Sequence, residues 1–416
     1  MRSVSATTVD GVLTAPPSKS YTQRALAAAA LSSDPSILRN PSTAADSRAA
    51  AAIAAGLGAV ITENPDGDLV VEGLMELQRQ HFTADEAGLC MRMFAPILTL
   101  FDEEVTLTAR GSLLTRPVEM VVGPLNSLGA RVRSRGGLPP LNLCGPLRGG
   151  HAEVDGSSSS QHITGLLLAT PRCAQDTTLH VIDLKSRPYV AMTVELLRAF
   201  GVEVEHDQTM SRFEIRGGQT YSGVDYTIEG DWSGAAFLLV AGALAGRVTV
   251  RGLHRESLQA DRRILHALDL AGASVTLEDG AVSVATDRLR GFNFDATDCP
   301  DLFPPLVALA ARCDGVTTLK GLHRLRDKES DRRAALIAEF RALGISVEVE
   351  GDTFRIRGGR IKAGVCDAHG DHRIAMAVSI AVLGTGEEVS IRGWPCVGKS
   401  YPSFFDDLAS LGAVVR

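Results

Sequence analysis

Six short segments of similar sequence decide the fold, and the first of them reads Leu57-Gly58-Ala59-Val60-Ile61. The other five are LGARV at Gly129, FGVEV at Gly201, AGASV at Gly272, LGISV at Gly344 and LGAVV at Gly412. Successive glycines are 68 to 72 residues apart, which predicts six repeated units. Each glycine ends an amphipathic helical pattern and precedes a strand-like pattern, which is typical of a left-handed residue at a helix C-cap.

A second helix is predicted in every unit, and it is apolar on nearly all sides. Such helices are normally buried. They cover residues 24–31, 90–100, 162–169, 235–243, 306–311 and 374–383. One buried helix, one amphipathic helix and several strands per unit indicate the α/β class. Because single cores rarely grow beyond about 250–300 residues, we expect two domains of three units each, with a boundary near residues 225–230.

Composition and charge exclude several classes of protein. The 416 residues carry a formal net charge of −7, which argues against a general nucleic-acid or membrane-surface binder. No apolar run is long enough to span a membrane, and no signal peptide is visible. The seven cysteines form no CxxC pair, which fits neither a zinc site nor a disulfide framework. We therefore expect a cytoplasmic protein.

Cations recur at the starts of the predicted helices. A cation precedes each amphipathic helix, at Arg48, Arg116, Arg187, Arg262, Arg332 and Lys399. Any one of them could be a solvated surface charge, but six in register favour a site for a ligand with several anionic groups. Lys19, Arg24 and Arg373 lie beside the starts of buried helices. The serines at 157–160 could form either a phosphate cradle or a flexible turn.

Several strings in this order and spacing resemble the 5-enolpyruvylshikimate-3-phosphate (EPSP) synthase family over nearly the whole chain. They are PPSKSYTQRA at 16–25, EAGLCMR at 86–92, the Arg116-Pro117 pair, VDGSSSSQ at 154–161, SRPY at 186–189, CPD at 299–301, KESDR at 328–332, DHRIAM at 371–376 and the segment around Lys399. The resemblance implies a two-domain inside-out α/β barrel with six βαβαββ repeats. It places one three-repeat domain at 15–227 and the other at 1–14 together with 228–416.

The family reaction transfers the carboxyvinyl group of phosphoenolpyruvate to the 5-hydroxyl of shikimate 3-phosphate. By resemblance, the residues that bind shikimate 3-phosphate are Lys19, Ser20, Arg24, Ser159, Ser160, Ser186, Asp301 and Lys328. Those that bind phosphoenolpyruvate are Lys19, Gly88, Arg116, Gln161, Arg332, Arg373 and Lys399. Both substrates carry a phosphate and a carboxylate, and arginine is the preferred partner for such groups.

The resemblance also assigns the proton transfers. Asp301 matches the family's base and Glu329 its acid, and Lys19 joins them as a candidate catalytic residue. Neighbouring cations are expected to keep Asp301 ionised. An alternative interpretation makes Asp301 only the N-cap of the helix that follows Pro300. No metal or cofactor is expected, and we expect a monomer without nucleic-acid or membrane partners.

Two regions depart from the family pattern. Glu86, Leu89 and Cys90 replace Asn, Thr and Ala in the phosphoenolpyruvate loop, and Arg324 stands where the family often has Asn. Two other functions stay open. One is the related UDP-N-acetylglucosamine enolpyruvyl transferase, although the 109–116 loop lacks that enzyme's cysteine. The other is a noncatalytic anion-binding relative.

Overall fold

The computed structural model describes all 416 residues, which divide into two compact units. The first unit is Pro17–Ile228, and the second is Met1–Pro16 with Glu229–Arg416. The sequence places the corresponding boundaries at 15–227 and at 1–14 with 228–416. The chain thus passes between the units twice, after Pro16 and after Ile228.

Twelve α-helices alternate with the strands along the chain. Those of the first unit are α1 (Lys19–Ala30), α2 (Ala45–Gly56), α3 (Gly88–Leu98), α4 (Val122–Ser127), α5 (Gln161–Ala169) and α6 (Arg187–Ala199). Those of the second unit are α7 (Trp232–Ala245), α8 (Ile264–Ala271), α9 (Phe303–Ala310), α10 (Arg332–Ala342), α11 (His372–Ala381) and α12 (Phe404–Ser410).

The strands form six four-stranded sheets, three in each unit. The second unit contains β1 (Arg2–Ser5), β2 (Val9–Thr14), β15 (Gly246–Arg251), β16 (Ser274–Glu278), β17 (Ala281–Ala285), β18 (Asn293–Asp295), β19 (Val316–Lys320), β20 (Ser346–Glu350), β21 (Thr353–Arg357), β22 (Gly364–Asp367), β23 (Glu388–Arg392) and β24 (Val414–Val415). The first unit contains β3 (Ser36–Arg39), β4 (Val60–Glu63), β5 (Leu69–Glu72), β6 (His81–Thr83), β7 (Glu104–Thr108), β8 (Arg131–Arg135), β9 (Leu138–Cys144), β10 (Gly150–Asp155), β11 (Thr177–Ile182), β12 (Glu205–His206), β13 (Arg212–Ile215) and β14 (Asp225–Thr227).

All six sheets share one pattern of strand pairing, which confirms the predicted βαβαββ repeat. In the sheet ordered β10-β11-β13-β12, the first pair is parallel and the other two pairs are antiparallel. A buried helix and an amphipathic helix follow the two parallel strands, as α5 and α6 do here. Two sheets are completed by the start of the chain. β2 pairs with β15, and β1 lies between β23 and β24.

The repeat glycines have the left-handed backbone that the sequence predicts. Gly58, Gly129, Gly201, Gly272, Gly344 and Gly412 all have φ between 78° and 100°. A residue with a side chain is strained in this region, so glycine allows each helix to turn directly into the next strand.

The predicted apolar helices are the cores of the two units. All residues of α3, α9 and α11 are buried. Only Lys19 and Ser20 in α1, Gln161 in α5 and Ser233 in α7 are not buried. The sheets cover these helices with one face, as the alternating burial of β11 and β21 shows. No helix is long and apolar enough to cross a membrane.

Candidate active site

Arg24 is held in the first unit by three helices and is 2% exposed. Its Nε donates to Thr193 Oγ1 at 3.0 Å, and its Nη2 donates to Thr164 Oγ1 and the Tyr189 carbonyl, each at 3.3 Å. Its Nη1 donates to the Ser20 carbonyl at 2.9 Å. These acceptors are all neutral, and burial lowers the pKa of Arg24 to about 10. We call these five residues the Arg24 cluster.

Lys19 begins α1 and forms an ion pair with Asp46 of α2, with Nζ and Oδ2 2.8 Å apart. The Cys90 thiol lies beneath this pair and contacts Gln23 Oε1 at 3.4 Å and the Asp46 carbonyl at 3.5 Å. Burial, with the nearby Asp46 charge, raises the pKa of Cys90 well above its ordinary value. The cysteine that departs from the family pattern is therefore a buried packing residue next to Lys19.

The serine-rich stretch leads into α5 and is not simply a flexible turn. Ser159 Oγ accepts a hydrogen bond from the Gln161 backbone N–H at 3.2 Å, and Ser160 is buried. Ser186, at the start of α6, is also buried and has a φ of 55°. A non-glycine residue in this region is strained, and such residues are concentrated at functional sites.

Gly88 and Arg116 form the third part of the first unit's candidate site. Arg116 is 5% exposed, and its guanidinium packs on the first residue of α3. A Cβ on Gly88 would lie 2.8 Å from Arg116 Nη1, so any other residue would require the guanidinium group to shift. The nearby Glu86 carboxylate accepts from the Ser112 backbone N–H at 3.2 Å. Glu86, which departs from the family pattern, therefore holds the loop that carries Arg116 in place.

In the second unit, Asp301 is surrounded by cations. Its carboxylate lies 2.7 Å from Arg332 Nη1, 3.2 Å from Lys328 Nζ and 3.2 Å from Arg373 Nη2. Burial opposes ionisation, but the charges of Arg373, Lys328 and Arg332 hold the pKa of Asp301 well below its ordinary value. This direction agrees with the expectation that neighbouring cations favour the ionised form of Asp301.

Arg332 connects Asp301 to two further carboxylates and is 1% exposed. Its Nε lies 2.7 Å from Asp371 Oδ2, and its Nη2 lies 2.5 Å from Glu329 Oε2. Burial opposes the charge, but these carboxylates raise the pKa of Arg332 above its ordinary value. We call Asp301, Lys328, Glu329, Arg332, Asp371 and Arg373 the Asp301 cluster.

The interpretation of Asp301 as a helix cap is wrong. Asp301 lies in a 3-10 turn, Pro300–Leu302, and Leu302 occupies the N-cap position of α9. The Asp301 side chain contacts cations instead of the backbone of that helix. Asp371 is the acidic N-cap in this cluster, since its side chain accepts from the Arg373 backbone N–H at 3.0 Å.

The other predicted cations are not equivalent. Arg48 and Arg187 are exposed, unlike Arg116 and Arg332. Lys399 Nζ donates to the Gly370 carbonyl at 2.9 Å, in the loop before α11. Arg324 is 8% exposed, and its charge adds to the burial that lowers the pKa of Lys328. The regularly spaced cations are therefore of two kinds: some are exposed surface charges, and others are buried among the candidate site residues.

Known proteins resemble the chain over almost its full length. A family model described as EPSP synthase (3-phosphoshikimate 1-carboxyvinyltransferase) matches residues 5–408. The chain belongs to the EPSP synthase family. The 3-phosphoshikimate 1-carboxyvinyltransferase of Aeropyrum pernix is 41% identical, and the match covers 99% of this chain and 96% of the relative. That of Clostridium kluyveri is 36% identical, with 99% and 97% covered.

Solved structures agree with the family assignment. EPSP synthase from Acinetobacter baumannii has a TM-score of 0.84 at 25% identity, with 100% of this chain and 99% of that chain covered. The enolpyruvyl transferase NikO from Streptomyces tendae shares the fold, with a TM-score of 0.80 at 20% identity. Both neighbours support the α/β fold that the sequence predicts for this EPSP synthase family member.

Three structural partners in this family member were not among the predicted site residues. Arg92 donates to Gln161 Oε1 at 2.7 Å and to the Pro117 carbonyl at 2.8 Å, so it connects two predicted phosphoenolpyruvate-binding segments. Asp46 pairs with Lys19, and Asp371 pairs with Arg332. Arg92 and Asp371 lie inside the quoted family strings, but Asp46 carries no sequence signal. No group of three or more His, Cys, Asp or Glu side chains is arranged to hold a metal ion.

Proposed function

We propose that the protein transfers the carboxyvinyl group of phosphoenolpyruvate to the 5-hydroxyl of shikimate 3-phosphate, forming 5-enolpyruvylshikimate 3-phosphate and phosphate. The observation that carries the proposal is the contact of the Asp301 carboxyl group with three cations, in a chain of the EPSP synthase family. An ionised carboxylate can accept the hydroxyl proton, and the cations can hold the acidic groups of the substrates.

Two sets of residues bind the two substrates in this proposal. The residues that bind shikimate 3-phosphate are Lys19, Ser20, Arg24, Ser159, Ser160, Ser186, Asp301 and Lys328. Phosphoenolpyruvate binds to Lys19, Gly88, Arg116, Gln161, Arg332, Arg373 and Lys399. Support comes from the neutral surroundings of Arg24, since a buried arginine with neutral partners gains most from an anionic ligand.

The reaction needs two opposite proton movements. Asp301 takes the proton of the 5-hydroxyl group while the oxygen of that hydroxyl bonds to C2 of phosphoenolpyruvate. An acid delivers a proton to the C3 methylene. Glu329 is the candidate acid that the family resemblance assigns; because it pairs with Arg332, it must first take up a proton before it can donate one. When the C2–O bond to phosphate breaks, Glu329 takes a methyl proton back from C3 and the double bond returns, while the proton on Asp301 leaves with the released phosphate. The double bond of phosphoenolpyruvate is thus restored in the product.

The alternatives are weaker for particular reasons. The family match and the names of the relatives favour this acceptor over UDP-N-acetylglucosamine. The noncatalytic alternative provides no reason for Asp301 and Glu329 to share one buried arginine. The monomeric state, the cytoplasmic location and the lack of a cofactor stay predictions.

A phosphate-release assay tests the proposal. Phosphate should appear only when the protein, phosphoenolpyruvate and shikimate 3-phosphate are all present. Its rate should be unchanged by EDTA, because acid–base groups and bound anions suffice for the chemistry. Release with UDP-N-acetylglucosamine as the acceptor would favour the first alternative, and no release with either acceptor would favour the second.

A further inference from the structure

Asp261 is a fully buried carboxyl that the proposed mechanism does not use. It lies in the 3-10 turn Ala260–Arg263, which precedes α8. Its Oδ2 accepts a hydrogen bond from Ser233 Oγ. Its Oδ1 is buried without a hydrogen-bond partner. Such a carboxyl group is costly to ionise in the interior, because a single hydroxyl donor compensates little of the charge.

The surroundings connect Asp261 to the Asp301 cluster. Its turn packs against α7, and α7 packs against α11 and against the turn that carries Asp301. The Asp301 and Arg373 charges both act on the Asp261 carboxyl. Arg373 is 5% exposed, and its Nε is also buried without a hydrogen-bond partner. The turn that carries Asp261 is therefore joined through α7 to α11, which carries one of the arginines proposed to bind phosphoenolpyruvate.

Other titratable groups around Asp261 do not supply a second donor. Asp231 accepts from the Ser233 backbone N–H at 2.9 Å, so Ser233 contacts two carboxylates. Burial and the nearby Asp261 charge raise the pKa of the Cys299 thiol. On the same turn, Arg262 donates to the Arg255 carbonyl and Arg263 donates to the Asp295 carbonyl.

The charge balance of this region favours a neutral Asp261. Within the Asp301 cluster, Lys328, Arg332 and Arg373 already face the carboxylates of Asp301, Glu329 and Asp371. An additional buried negative charge would repel an incoming anion. Consistent with this geometry, burial and the Asp301 charge raise the pKa of Asp261 to about 7.

We propose that Asp261 is a positioning residue that must be protonated for an anionic substrate to bind at Arg373, and that its ionisation weakens this binding. The inference rests on the proposed function, which assigns phosphoenolpyruvate to Arg373. It adds a proton-dependent control of substrate affinity by a residue that does not itself touch the substrate.

The pH dependence of the phosphate-release kinetics tests the proposal. Between pH 6 and 8.5, the KM for phosphoenolpyruvate should rise about tenfold more in the wild type than in Asp261→Asn, with little difference in kcat. The ratio of the two KM values cancels the titration of phosphoenolpyruvate itself. Asp295→Asn is the matched control, because Asp295 also accepts from a hydroxyl, at 2.6 Å, but is exposed. Its profile should follow that of the wild type.

Ser233→Ala provides a second variant. The Ser233 hydroxyl stabilises the ionised form of Asp261, so its removal should move the rise in KM to higher pH. Parallel KM profiles in the wild type and Asp261→Asn would overturn the proposal, and so would an unshifted profile in Ser233→Ala. Absence of phosphate release by the wild type would instead refute the proposed function.

Stability supplies a readout that needs no substrate. The pKa of Asp261 in the folded protein is raised above the usual range of a free aspartate, so folding is favoured at low pH and loses this contribution as pH rises through about 7. The urea midpoint of the wild type should therefore fall relative to that of Asp261→Asn between pH 5 and 8.5. A constant difference between the two would show that Asp261 does not titrate there.

Discussion

Arg24 of the first unit and Arg332 of the second are both almost fully buried, yet their surroundings are opposite. Arg332 contacts the carboxylates of Asp301, Glu329 and Asp371. Arg24 donates only to hydroxyl and carbonyl oxygens. The pKa of Arg332 is accordingly raised, and burial lowers that of Arg24 to about 10.

The difference indicates two ways of preparing a site for anions. Around Arg332, the protein supplies its own negative charges, and these hold the cations in place before any substrate arrives. Around Arg24, the charge is compensated only by the dipoles of hydroxyl and carbonyl groups, so an anionic ligand brings a larger gain in binding free energy. Four substitutions test this contrast, in order of decreasing expected effect.

Asp301→Asn should have the largest effect. The amide keeps the size of the side chain but cannot accept the hydroxyl proton, and loss of a general base typically lowers the rate by ~10²–10⁴. Phosphate release under saturating substrates measures kcat, with Asp295→Asn as the control that should keep it. Wild-type turnover in Asp301→Asn would remove Asp301 from the mechanism and leave Glu329 or Lys19 as the proton carrier.

Arg332→Ala should destabilise the fold as well as reduce activity. Asp371 is fully buried and would lose its charged partner, and breaking a buried ion pair in this way typically costs about 3–5 kcal/mol. Urea denaturation of the ligand-free protein measures the change in the free energy of unfolding. The adjacent Arg333 is exposed, so Arg333→Ala should change it by less than about 0.5 kcal/mol. Equal losses in the two variants would contradict the ion-pair interpretation.

Arg24→Gln should affect ligand binding more than folding. The free protein loses hydrogen bonds but no ion pair, whereas the ligand loses a charged contact that is typically worth ~1.5–3 kcal/mol. The dissociation constant for shikimate 3-phosphate should rise by about 10- to 100-fold, as calorimetry would measure. Arg198→Gln changes an exposed arginine of α6 and should leave it unchanged. Unaltered affinity in Arg24→Gln would remove Arg24 from the binding site.

Gly88→Ala should have the smallest effect of the four. The new Cβ would lie 2.8 Å from Arg116 Nη1 and push the guanidinium away. We expect the KM for phosphoenolpyruvate to rise about fivefold to tenfold, at the lower end of the ~1–3 kcal/mol that overpacking typically costs, because a guanidinium group can shift. Gly123 of α4 has open space at the corresponding point, so Gly123→Ala should preserve KM. An unchanged KM in Gly88→Ala would show that Arg116 does not depend on this packing.

Most of the fold could be predicted because its signals are local and repeated. A left-handed glycine such as Gly201 marks the end of a helix, and a few neighbouring residues are enough to predict it. The first strand of the α1 repeat could not be found in this way. That strand is β14, which pairs with β3 although almost two hundred residues separate them, and pairing of distant segments leaves no periodic pattern at either end.

The candidate site was predictable only where a family string preserves the residue. Asp301 and Arg332 lie in such strings, and the structure places them 2.7 Å apart. Asp46 and Asp261 lie outside the family strings. Each acts through a tertiary contact, which the sequence alone does not show. The role of Asp46 becomes visible only where α2 meets Lys19, and that of Asp261 where its turn meets Ser233.

The two strands at the start of the chain have a consequence for protein synthesis. The Pro17–Ile228 unit contains all of its own strands, so it can fold on the ribosome once those residues have emerged. The other unit cannot, because Arg2–Ser5 must wait for partners at 388–391 and 414–415. Arg2–Ser5 therefore stays unpaired until its partner strands near residues 388–415 have been translated. Its short length and the polar residues Arg2, Ser3 and Ser5 limit the risk that this waiting strand joins a neighbouring nascent chain.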